Sequence, residues 1–125
     1  MLATAALALR NLYLTGHVTI SVPSLLAYEL ANVLRYQSEL TTEQVEQAAQ
    51  SLFDMGLSWW SPDAALTRRA VTISRSHDTT VYDAAFVALA EALPAGFITA
   101  DERLAQRLQD FSYVHFLGDV AEESR

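Results

Sequence analysis

Thr79-Thr80-Val81-Tyr82-Asp83-Ala84-Ala85-Phe86-Val87-Ala88-Leu89-Ala90-Glu91-Ala92-Leu93-Pro94-Ala95-Gly96-Phe97-Ile98-Thr99-Ala100-Asp101-Glu102-Arg103-Leu104 is the stretch that decides the fold of this chain. Its first half has the apolar spacing of an amphipathic helix opened by Thr80, with Asp83 in the first turn. Leu93-Pro94-Ala95-Gly96 breaks that helix, and a short apolar strand follows. Asp101 stands at the C-terminal end of the strand, where a second helix starts. Two carboxylates therefore fall where a helix begins and where a strand ends, the edge at which open α/β sheets hold their ligands.

Working outward, the same alternation continues. Apolar positions 5, 8, 9 and 12 give a helical period over Thr4 to Thr15, closed by Gly16. Val18 to Val22 reads as a buried strand, and Pro23 suits the first turn of a helix from Ser24 to about Tyr36, with Leu26, Leu30, Val33 and Leu34 on one side. Thr41-Thr42-Glu43-Gln44 opens a capped helix that ends near Met55-Gly56. Leu57-Ser58-Trp59-Trp60 reads as a strand, Ser61-Pro62-Asp63 as the opening of a helix to about Ser76, and Tyr113 to Leu117 as the last strand. Strands alternating with helices over short connections predict one α/β domain over residues 1–118 with a mostly parallel sheet, followed by a polar tail, 119–125.

The 125 residues suffice for one real core, and no apolar run approaches the roughly 20 residues that span a bilayer. The apolar N-terminus has no basic leader and reads as an amphipathic helix rather than a secretory signal. With no cysteine, disulfides and thiolate metal sites are excluded, and a reducing, cytoplasmic setting is permitted. The net charge is −7 and all eight basic residues are arginine, which argues against holding nucleic acid by bulk electrostatics. It leaves room for a nuclease whose acidic site is neutralised by bound cations. His17, His77 and His115 are scattered, no Gly-x-Ser-x-Gly elbow occurs, and the four glycines form no phosphate loop.

Taken singly, each candidate acid has an ordinary structural explanation. Glu29 lies at the margin of its helix's apolar stripe, where a carboxylate is costly unless it is paired or binds a cation, and Asn32 lies one turn on as a polar neighbour. Asp83, three residues after Thr80, has capping-box spacing. Thr99 and Glu102 form a Thr-x-x-Glu box that would make Asp101 a first-turn acid favouring the helix dipole. Jointly, three acids that converge at one sheet edge would suit Mg²⁺ or Mn²⁺, which take oxygen ligands and keep several waters.

Three segments carry a resemblance to a known family. Val22-Pro23-Ser24-Leu25-Leu26-Ala27-Tyr28-Glu29-Leu30-Ala31-Asn32-Val33-Leu34-Arg35, Tyr82-Asp83-Ala84-Ala85-Phe86-Val87-Ala88-Leu89-Ala90-Glu91 and Ile98-Thr99-Ala100-Asp101-Glu102-Arg103-Leu104 resemble, in order and in register, the PIN domain of VapC-type toxins. The resemblance runs from about Ala5 to Leu117. It implies a three-layer α/β/α fold and a Mg²⁺- or Mn²⁺-dependent ribonuclease, the toxin half of a toxin–antitoxin pair. RNA would be the substrate, a cognate antitoxin would cover the active face, and homodimers are usual. Carried over by position, Glu29, Asp83 and Asp101 would be the acidic metal ligands, and Thr99 the accompanying hydroxyl.

One departure bears on activity. The family opens with a central strand ending in an Asp, whereas this chain begins at the helix after it and its first Asp is Asp54. The resemblance thus implies an acidic set short of its first member, and little ribonuclease activity. Two other readings follow from the same residues: a catalytically silent interaction and dimerisation module that binds an antitoxin-like helix, and a flap-type DNA nuclease.

Overall fold

The structure is a computed structural model that describes Leu7 and residues 10–119. The expected N-terminal helix therefore lies partly, and the expected polar tail almost wholly, outside the described residues. The chain packs as two compact units, one formed by Ile20–Pro62 and the other by Met1–Thr19 with Asp63–Arg125.

In the larger unit, residues 10–14 are helical (α1), and the chain leaves that helix through Gly16 at φ +77°, where a residue without Cβ is unstrained. Helix α4, Ala64–His77, is capped by Asp63, whose Oδ1 accepts the Leu66 N–H at 2.7 Å. It ends at Asp78 in the left-handed region, a conformation Asp tolerates, and helix α5, Val81–Ala92, starts directly afterwards. The two helices pack closely because the residues between them are small or β-branched. Ala70, Ile73, Ala84, Val87 and Ala88 form one buried cluster with Leu104 and Leu108. Strand β3, Phe97–Thr99, pairs in parallel with β4, Val114–Phe116, in the register Phe97 to Val114 and Thr99 to Phe116. The short helix α6, Glu102–Arg107, connects them and supplies Leu104 to the cluster.

A polar network secures the far end of this unit. Arg69 on α4 grips Glu91 on α5 with both guanidinium edges, Nε to Oε1 at 2.8 Å and Nη2 to Oε2 at 3.0 Å, while the Tyr113 hydroxyl donates to Oε2 at 2.8 Å. With the tight turn at Asp78, this bridge fixes α4 and α5 as an antiparallel pair.

The smaller unit holds β1, Ser21–Pro23, paired in parallel with β2, Ser58–Trp60, and the helices α2, Leu26–Arg35, and α3, Thr42–Phe53. Thr41 builds the expected capping box, taking the Gln44 N–H at 3.1 Å and giving its own N–H to Gln44 Oε1 at 2.8 Å. Phe53 stacks on Trp59 at 4.8 Å between centroids, tying α3 to β2. Buried side chains are few here: Val22, Pro23 and Leu52.

Pro23 corrects an expectation. It is the last residue of β1 rather than the first of a helix, because Ser24 N–H bonds to Trp60 O at 2.9 Å and keeps the chain extended one residue further. Helix α2 then starts at Leu26 without a side-chain cap. Val33 corrects another: it is 57% exposed and does not belong to the packed side of α2, where Leu26, Leu30 and Leu34 are half-buried. The mixed α/β class with parallel strand pairing holds in both units, each with a two-stranded sheet.

Candidate active site

Asp83 and Asp101 both belong to the larger unit. From Asp83 back to Ala92 the helix covers about 14 Å at 1.5 Å per residue. After the turn, closed by Ala95 N–H to Ala90 O at 2.9 Å, strand β3 runs over Phe97–Thr99 and Asp101 follows it two residues on. Phe86 and Phe97 hold helix against strand with centroids 6.0 Å apart. Ala84, next to Asp83, and Leu104, three residues after Asp101, belong to the same buried cluster.

The local caps decide which oxygens are committed. Thr80 Oγ1 accepts the Asp83 N–H at 3.0 Å, but the box that Thr41 and Gln44 complete is not completed here. The Asp83 carboxylate is therefore not spent on its own cap. It is half-buried at the positive end of α5, where a negative charge is favoured.

At Asp101 the expected Thr99-x-x-Glu102 box is corrected. Asp101 is itself the N-cap of α6, with Oδ1 accepting the Leu104 N–H at 3.2 Å. Thr99 Oγ1 accepts the Asp101 N–H at 3.0 Å instead. The reason is that Thr99 is still held in the ladder opposite Phe116, so the helix can only begin two residues later. Oδ2 of Asp101 and the hydroxyl proton of Thr99 are not used by these bonds.

Glu29 belongs to the smaller unit. It is exposed in the first turn of α2, and the flanking Tyr28 and Asn32, one turn on, are exposed as well. The expectation that it borders the buried stripe is thus revised, since Val33 one turn on is exposed as well. Among the described residues, no group of three or more His, Asp or Glu side chains is gathered closely enough to hold a metal ion. Asp83 and Asp101 offer the hard carboxylate oxygens that Mg²⁺ or Mn²⁺ prefers, and such ions bind through one or two carboxylates with waters retained, so the donor chemistry fits.

Residues 3–108 match the family model of the PIN domain, a span that takes in the whole smaller unit and most of the larger one. The chain belongs to the PIN-domain family. PIN domains are generally metal-dependent nucleases, often in toxin–antitoxin systems, and all three expected acids and Thr99 lie inside the matched span of this PIN domain. No curated protein matches the chain. Among the described residues, no helix of this PIN domain is long and apolar enough to cross a membrane.

Proposed function

We propose that this PIN domain is a ribonuclease acting with Mg²⁺ or Mn²⁺ in the cytoplasm, as the toxin of a toxin–antitoxin pair that forms homodimers and is restrained by its antitoxin. The observation that supports the reading best is that Asp83 in the first turn of α5 and Asp101 at the cap of α6 lie close in sequence to Ala84 and Leu104, two members of one buried cluster. Glu29 enters as the third acid on the family resemblance alone.

In this reading Asp83 and the uncommitted Oδ2 of Asp101 hold the ion. When bound, such an ion supplies Lewis acidity at a phosphodiester oxygen and stabilises the charge that develops there. Thr99 positions Asp101 through its backbone N–H and offers its hydroxyl proton to a substrate oxygen.

The test pairs calorimetric titration with Mn²⁺ and cleavage of a labelled single-stranded RNA. Asp101→Asn is informative because Asn caps a helix as well as Asp does, so the charge is removed while the cap stays. Outer-shell changes at metal sites already cost about 10- to 100-fold, so Asp83→Asn and Asp101→Asn should each weaken Mn²⁺ binding on the order of tenfold or more and depress cleavage in parallel. Unchanged Mn²⁺ binding in both variants would sink the proposal and favour the silent interaction module.

A further inference from the structure

Helix α2 carries a line of side chains that neither the fold nor the acids account for. Tyr28 and Asn32 on α2 and Tyr36, the residue that caps its C-terminal end, recur every four residues, so they follow one another along the outside of the helix. All three are exposed, and Tyr28 at 83% and Tyr36 at 69% are the most exposed large apolar side chains among the described residues. Arg35 lays its guanidinium over the Tyr36 ring, 4.6 Å from the centroid. Within Ile20–Pro62 it is the only basic residue.

We infer that this line is a stacking platform for the bases of single-stranded RNA, a subsite that rests on the ribonuclease reading of the same chain. Every base has a π-face, so two exposed rings about 12 Å apart along the helix axis can each take one base without demanding a sequence. Asn32 between them offers both a carbonyl and an amide to base edges, and Arg35 adds a planar cation that stacks and pairs with phosphate. A face made to dock a protein helix would lead with aliphatic side chains. Here every member of the line carries a polar group, and the one exposed aliphatic residue, Val33, stands off it. Glu29 adjoins Tyr28 in sequence, so a strand lying on the rings passes beside an acid of the proposed site.

The experiment measures binding without cleavage, by fluorescence anisotropy of the full chain with a labelled 2′-O-methyl RNA octamer. Tyr28→Ala and Tyr36→Ala should each weaken binding about fivefold or more, whereas Tyr28→Phe and Tyr36→Phe stay within about twofold. The same octamer carrying abasic positions should bind the parent chain as weakly as the Ala variants bind the intact one. Thermal melts should be unchanged, since both rings are exposed. Equal losses for Ala and Phe, indifference to abasic positions, or no measurable binding by the parent chain would each overturn the platform. So would loss of self-association in the Ala variants with RNA affinity intact, which would make the face a subunit contact. Tyrosine-dependent binding alongside absent cleavage would remove the nuclease reading and leave the platform standing. Asp83-dependent cleavage with tyrosine-independent binding would do the reverse.

Discussion

The helix pair α4–α5 and the helix pair α2–α3 have similar lengths and opposite burial. Along α4 and α5, Ala70, Ile73, Ala84, Val87, Ala88, Leu89 and Ala90 are buried, and alanines let the backbones approach closely. Along α2 and α3 only Leu52 is buried, while Tyr28, Val33, Tyr36 and Phe53 stay more than half exposed. Both pairs start from well-formed caps or good helix formers, so the difference lies in what each has to pack against. Among the described residues, the larger unit, which carries Asp83 and Asp101, holds most of the buried side chains. The smaller one leaves most of its large side chains at least partly exposed.

The largest effect should come from the denser pair. Ile73, 1% exposed, should lose about 2–5 kcal/mol on replacement by Ala, read from urea unfolding. A loss below about 1 kcal/mol would mean that the cluster is not close-packed and the contrast is false. Native-state hydrogen exchange sharpens the same point: amides of α5 should exchange at least about tenfold more slowly than those of α2, because local opening is easiest where few apolar contacts are lost. Equal protection would make the two units one cooperative block.

Next in size is the cap of the thinner pair. Thr41→Ala removes one leg of the Thr41–Gln44 box and should cost about 1 kcal/mol. Thr41→Ser should recover most of it.

The smallest effect concerns the Arg69–Glu91–Tyr113 network. The bidentate bond from Arg69 holds the Glu91 carboxyl below its ordinary value, and the Tyr113 hydroxyl adds to this. A carboxyl lowered in the folded state adds stability above its unfolded value, about 4.3, and loses it as pH falls through the folded value. Tyr113 is shifted upward, first by burial and then by its bond to Glu91, so its contribution is present below about pH 10 and is lost as pH rises through the folded value. The pair is more than a third exposed, so Glu91→Gln should cost no more than about 1 kcal/mol at pH 7. The difference should shrink in thermal melts as pH falls from the unfolded value of about 4.3 toward the lowered folded one. A penalty that does not change between pH 7 and acid would show that packing, not charge, is what Glu91 contributes.

The candidate site was legible where local chemistry ruled and misread where two local rules competed. Thr80 before Asp83 was read as a helix start, and it is one. Thr99 and Asp101 are both good N-caps, and the choice between them falls to the pairing of Thr99 with Phe116, a contact 17 residues away in sequence. Pro23 likewise satisfies the rule for a helix opening, but the carbonyl of Trp60 extends the strand past it. The line Tyr28, Asn32, Tyr36 was not read from the sequence, because nothing in the spacing says that α3 and the strands leave it uncovered.

The sequence by itself determined the alternation of helices and strands, the caps at Thr41, Asp63 and Thr80, and membership of the PIN-domain family. These depend on hydrogen bonds spanning three or four residues and on motifs read in order. Only the tertiary structure decided which carboxylate oxygens are committed, which face of α2 looks outward and which helix pair carries the core. Burial is fixed by what arrives from elsewhere in the chain, and a side chain's own neighbours in sequence do not record it.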